Sequence, residues 1–139
     1  MPKIKKVKAR EIIDSRGNPT VECDIYLSDE IFGRAAVPSG ASTGMHEAIE
    51  LRDQDKNRYG GKGVLKALSN IIEIISPKIL NKEFKDIKDF DEFLISTDGT
   101  KNKSNLGANA TLALSLAFAK SLASYEKKNL FHYLSNSDQ

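Results

Sequence analysis

The segment Pro38-Ser39-Gly40-Ala41-Ser42-Thr43-Gly44 contains no large side chain. It has almost nothing apolar to bury, so it cannot build a core. It can do chemistry instead. Gly40 and Gly44 let the backbone bend and approach a ligand closely. Ser39, Ser42 and Thr43 add hydroxyls to the backbone N–H and C=O groups. A loop lying over an anion or a metal ion would use all of these groups. The plain alternative is a polar connector, and composition taken alone favours it, because most Gly/Ser loops only connect.

Other chemical candidates are weaker. His46 beside Glu47 could serve acid–base work, yet catalysis needs positioned partners, and a solvated loop histidine is the default. His132 reads as a surface or edge residue, and neither histidine sits in a metal-ligand pattern. Glu50, Asp53 and Asp55 make a group of carboxylates that reads as a solvated helical face ahead of a metal site. Phosphate-loop chemistry fails, because Gly44 is followed by Met45 where a lysine is required. Gly60-Gly61-Lys62-Gly63 has the wrong spacing for a dinucleotide fingerprint.

Composition narrows the partners. The 139 residues carry a net charge of +2, with 19 acidic residues among them, too weak a field to argue for nucleic acid. The basic run from Lys3 to Arg10 alternates like the solvated face of a strand. Cys23 is the one cysteine, which excludes an intramolecular disulfide and a cysteine-built zinc cluster; on the apolar side of an alternating run it reads as a small buried hydrophobe in a reducing, cytoplasmic setting. The first residues lack the apolar stretch of a secretory signal, and no segment has the roughly 20 apolar residues that span a bilayer.

The elements that must position these residues read as one α+β domain over 1–139. Strands are predicted over 5–12, 21–27 and 31–37, the second with Val21, Cys23, Ile25 and Leu27 on one face. Short connections make them a three-stranded antiparallel meander. Asp14-Ser15-Arg16-Gly17-Asn18-Pro19 is turn chemistry between the first two. A helical subdomain follows. Helices are predicted over 47–53, 64–75, 86–95 and 108–126, with Pro77 just past the end of the second. In that second helix Val64, Leu65, Leu68, Ile71, Ile72 and Ile75 form the apolar face. The last helix is apolar nearly all round and is expected to be central and buried. Asp98 to Asn105 reads as a polar connector, and 130–134 as a short closing segment.

Taken in order, the motifs resemble one family. Glu11-Ile12-Ile13-Asp14-Ser15-Arg16-Gly17-Asn18-Pro19-Thr20-Val21-Glu22 is similar to the opening signature of enolase (phosphopyruvate hydratase), and Val37 to Gly44 resembles that family's active-site loop. Glu47 to Asp53, Gly61-Lys62-Gly63-Val64, Asp98-Gly99-Thr100 and Leu106-Gly107-Ala108-Asn109-Ala110 resemble the family at the expected spacings. Thr111 stands where a larger aliphatic residue is usual, and Asn129 where a proline is common.

The resemblance implies a lyase of glycolysis that interconverts 2-phosphoglycerate and phosphoenolpyruvate with two Mg²⁺ ions. Its N-terminal α+β domain precedes a large β/α barrel that carries the base lysine, the acid glutamate and the first-metal carboxylates; enolase-type chemistry is a known pattern of this kind. The chain ends at Gln139 with no barrel, so the 139 residues alone are expected to be inactive. Ser42 matches the loop serine that ligates the second Mg²⁺; Gly40 and Ala41 match backbone positions close to substrate, flanked by Ser39 and Thr43. His46 and Glu47 match the loop's trailing end, and Arg16 a position at the interface with the barrel. Full-length enolases are homodimers or larger and occur in the cytoplasm and at the cell surface. The rival reading is a stand-alone binding or interaction module with the same fold.

Overall fold

The computed structural model describes residues 2–37, 51–99 and 105–127. Strands β1 (Lys6–Ile13), β2 (Pro19–Tyr26) and β3 (Phe32–Ala36) form an antiparallel sheet in the order β1-β2-β3. Register sets Ala9 against Cys23 and Cys23 against Ala35. The expected alternation follows, with Val21, Cys23, Ile25 and Leu27 buried on one face. Burial pushes the Cys23 thiol pKa up, which suits a packed hydrophobe.

The opposite face is not simply solvated. Asp24 lies there with its side chain only 1% exposed. Arg34, its cross-strand partner, donates from Nε to Asp24 Oδ1 at 2.8 Å and from Nη2 to Oδ2 at 3.1 Å. Arg10 donates from Nη2 to Asp24 Oδ1 at 2.9 Å and from Nε to Glu22 Oε1 at 2.6 Å. Burial alone would raise the Asp24 pKa, but the bonds from Arg34 and Arg10, with their charges, outweigh it and hold the carboxyl below its ordinary range. Lys6 and Lys8 each place their ammonium 5.5 Å from the Tyr26 ring, which stacks on Phe32 at 4.9 Å. The basic run of the sequence is thus the outer face of a strand, held by rings and carboxylates.

The helices depart from the sequence reading in instructive ways. Residues 51–53, the described end of a predicted helix, are not helical. After a short 3₁₀ turn at Tyr59–Gly61 comes α1 (Leu65–Ser69), a π-helical stretch Asn70–Ile75, and α2 (Ser76–Ile79). The helical run therefore passes through Pro77 instead of stopping before it. A proline ring crowds the carbonyl four residues back in a regular α-helix and removes an N–H. Here the turn directly ahead is widened, and the Ser76 N–H donates to Ile71 O, five residues back. Val64, Leu68, Ile71 and Ile75 keep ordinary helical spacing on the buried side. Ile71, Ile75 and Ile79 are buried, whereas Leu65 (47% exposed) and Ile72 (54%), expected on the inner face, point outward.

Helix α3 (Ile87–Asp98) starts at Asp86, whose side chain accepts the Asp89 N–H at 2.8 Å, and stops at Gly99 in the left-handed region at φ 71°. Asp98, read as connector, instead closes this helix; its buried Oδ2 accepts the Leu106 N–H at 2.7 Å. Helix α4 (Ala108–Tyr125) is the central buried helix that its composition predicts. It lies across β2 and β3 on the apolar face of the sheet. Phe118 of α4 meets Phe90 of α3 at 4.4 Å between ring centres, and Phe84 sits 5.0 Å from Phe90. Thr111 spends its hydroxyl on Ala108 O at 3.3 Å, so a polar residue is accommodated inside α4.

Candidate functional site

Residues 38–50 lie outside the described residues, and with them Ser39, Gly40, Ala41, Ser42, Thr43, His46 and Glu47. Both ends of the segment are described. At the leading end, Val37 is buried; its N–H donates to Val21 O at 3.1 Å, and the Thr20 hydroxyl donates to its carbonyl. Thr20 reaches it because β2 and β3 run side by side.

The trailing end is held by three consecutive residues. The Leu51 N–H donates to Asn109 Oδ1 at 3.0 Å, and Asn109 Nδ2 donates to Leu51 O at 3.1 Å. Arg52 Nη1 donates to Pro19 O at 2.6 Å and to Lys62 O at 2.8 Å. The Asp53 N–H donates to Gly63 O at 2.8 Å, while its carboxylate accepts the Leu65 and Lys66 N–H groups at 2.9 and 2.8 Å. Asp53 thus caps the first turn of α1, where free N–H groups favour a negative charge. It is not part of a solvated helical face. Asp55 accepts the Asn57 N–H at 3.0 Å in a turn, and Glu50 lies outside the described residues.

Glu11 of β1 braces this corner. Its Oε1 accepts from Arg58 Nη2 at 2.6 Å and its Oε2 from the Val64 N–H at 2.9 Å. The Glu11 carboxylate, ahead of the opposing cost of burial, raises the Arg58 pKa further above its ordinary value. A Cβ at Gly63 would lie 2.7 Å from Asp53 Oδ2 and 2.8 Å from Arg58 Nη1, so a larger residue there would displace these two side chains.

Arg16 is exposed in the β1–β2 turn. Asp14 builds that turn by accepting the Arg16 and Asn18 N–H groups, each at 2.9 Å. Gly17 takes φ 80°, which completes it. The Asn18 N–H, supported by the Arg16 N–H and the charges of Arg16 and Arg52, outweighs a smaller burial cost and holds the Asp14 carboxyl below its ordinary range. Arg52 ties Pro19, at the foot of this turn, to the trailing end of the segment. The structure therefore gathers Arg16, Val37 and Leu51 into one region at the turn end of the sheet.

Sequence reasoning assigned no role to Thr20, Asn109, Arg52 or Glu11. Asn109 carried the clearest signal, an amide in a helix of alanines and leucines. The others reveal themselves only once the strands are paired.

Among the described residues, no group of three or more His, Cys, Asp or Glu could hold a metal ion. Glu11 and Asp53, the carboxylates beside the trailing end, are occupied by backbone N–H groups and Arg58. They do not make a magnesium site, since Mg²⁺ demands near-octahedral oxygen ligands. No described helix is long and apolar enough to cross a membrane. A family model described as enolase, N-terminal domain, matches residues 4–134.

Proposed function

Because the chain belongs to the enolase N-terminal domain family, we propose that it is the lid-bearing domain of an enzyme that interconverts 2-phosphoglycerate and phosphoenolpyruvate. The observation that supports this most is the anchoring of residues 38–50. Val37 and Leu51 are tied to separate elements, β2 and α4, by Thr20 and Asn109. A loop rich in small polar residues over 38–46, which follows a Val37 held to β2, suits a lid over a ligand.

In this reading the lid excludes water from the reacting substrate. The backbone at Gly40 and Ala41 lies close to substrate, with the Ser39 and Thr43 hydroxyls beside it. Ser42 offers its hydroxyl and carbonyl to the second of two Mg²⁺ ions that the family uses. His46 and Glu47 stand at the trailing end of the lid, and Arg16 faces a β/α barrel. That barrel carries the base, the acid and the remaining metal ligands, so the 139 residues alone do not turn over substrate. The protein acts in the cytoplasm, as a dimer or larger assembly.

The test has two arms. Formation of phosphoenolpyruvate from 2-phosphoglycerate is followed by absorbance, for the 139-residue chain and for the same chain joined to a barrel. Turnover by the chain alone would overturn the division of labour. In the joined enzyme, Ser42→Ala is expected to raise the magnesium concentration needed for activity; an unchanged magnesium dependence removes Ser42 from the site.

A further inference from the structure

We propose that Asp98-Gly99 is a backbone-isomerisation site, closed in the folded chain by the junction between α3 and α4 and opened only when that junction lets go. It is the one place in the sequence where aspartate or asparagine precedes glycine. A following glycine has no side chain to shield its amide nitrogen, and its backbone turns freely. In such a pair the glycine nitrogen attacks the side-chain carboxyl before it. A C–N bond forms, and the protonated carboxyl loses its OH with the amide proton as water. The cyclic imide then takes water back. Opening at the side-chain carbonyl restores aspartate; opening at the main-chain carbonyl leaves isoaspartate, with the chain running through the former side chain. Composition is unchanged, and water is the only co-reactant.

The fold calls for both residues. Helix α3 stops on Gly99 in the left-handed region, which favours glycine, and Asp98 supplies the acceptor for Leu106. The fold also occupies both reacting groups. The Gly99 N–H donates to Ile95 O at 3.0 Å, so the nucleophile is engaged. Asp98 is 2% exposed, its Oδ2 accepts the Leu106 N–H at 2.7 Å, and Asn105 Nδ2 donates to its main-chain carbonyl at 2.7 Å. Asn70 Nδ2, from the π-helical stretch, donates to the Asn105 and Leu106 carbonyls, each at 3.1 Å. Asn70 and Asn105 thus hold residues 105–106 against the end of α3. The carboxyl is committed to Leu106 and shut away from the water that opens the imide. Reaction therefore requires 105–106 to part from Asp98, a local opening well short of global unfolding.

The test ages the full chain near neutral pH, in buffer and in unfolding urea, and counts isoaspartate at position 98 by peptide mapping. The rate in buffer is expected to be at least about tenfold below the rate in urea. Asn105→Ala should raise the buffer rate about fivefold, the scale of one lost hydrogen bond, and Asn70→Ala should act in the same direction. Exchange of the Leu106 amide should quicken in step with isomerisation, since one opening exposes both. Ser121→Ala, which removes a bond to Phe118 O at 2.7 Å at the far end of α4, controls for lost stability and should leave the rate unchanged. A buffer rate within about twofold of the urea rate overturns the inference. So does an unchanged rate in Asn105→Ala, or an equal rise in Ser121→Ala. The comparison of buffer with urea needs only the parent chain, so it decides the matter where a variant fails to fold.

Discussion

Gly33→Ala tests how α4 is seated on the sheet. Gly33 is buried near the start of β3, on the face that α4 covers. A Cβ there would lie 2.2 Å from Ala117 O, 2.4 Å from Ser121 N and 2.8 Å from Lys120 Cβ. Two of these atoms are backbone and the third is fixed to it, so no rotamer change can relieve the clash. Alanine in a strand ordinarily gains about 0.5–1 kcal/mol over glycine. Overpacking of a rigid contact costs about 1–3 kcal/mol and occasionally more. The upper end applies, and the net loss is about 2–3 kcal/mol. Unfolding entropy near 2.1 cal/mol/K per residue gives about 0.3 kcal/mol/K for 139 residues, so Tm should fall by about 8 °C. Thermal unfolding followed by far-UV circular dichroism measures this directly. A Tm within about 2 °C of the parent would show that α4 and β3 do not approach as described.

Three further outcomes are expected. Asp24→Asn removes the charge shared by Arg10 and Arg34 and should cost about 2 kcal/mol in a urea titration at neutral pH. Because the Asp24 pKa is depressed in the fold, its contribution is complete above the unfolded carboxylate pKa, near 4, and is lost as pH falls through the lower folded value. The parent should therefore lose more stability than Asp24→Asn on acidification; parallel pH profiles would contradict the assignment. Gly107→Ala combines a left-handed backbone with a contact on Leu51 and should cost about 1–3 kcal/mol, read as a lower urea midpoint. Thr20→Val keeps the shape of the side chain and removes the donor to Val37 O, so it should cost about 1 kcal/mol and quicken amide exchange at Val37.

Much of the fold was legible because β2 and α4 carry strong patterns. Strict alternation in β2 located the buried face, and the near-continuous apolar surface of α4 marked it as central. The reading failed where a local rule met a tertiary demand. Pro77 signals a helix end, but a π turn lets the helix continue; Leu65 and Ile72 each lie one residue past the buried row of Val64, Leu68, Ile71 and Ile75 and point outward. The alternation that located Cys23 gave Asp24 no partner, because no local pattern shows that register would set Arg34 opposite it. Asp53 read as part of a helical face, whereas its partners are N–H groups of a helix that begins a dozen residues later. Of the candidate site, the sequence marked Arg16 and the loop 38–46, but not what holds the chain on either side.

Three polar residues share one physical role. Asp24, Asp53 and Asn109 each bind a partner on another element, and each would be costly to bury unpaired. Asp53 and Asn109 act at the trailing end of 38–50, with Thr20 at the leading end. On the proposed lid reading, Val37 and Leu51 held in place leave fewer residues for a bound substrate to order, and the entropy of ordering grows with each such residue. Substitutions at these anchors should therefore weaken binding without touching the reacting atoms, whereas a change at Ser42 should alter the magnesium requirement. That separation divides the domain's proposed work between the lid and its supports.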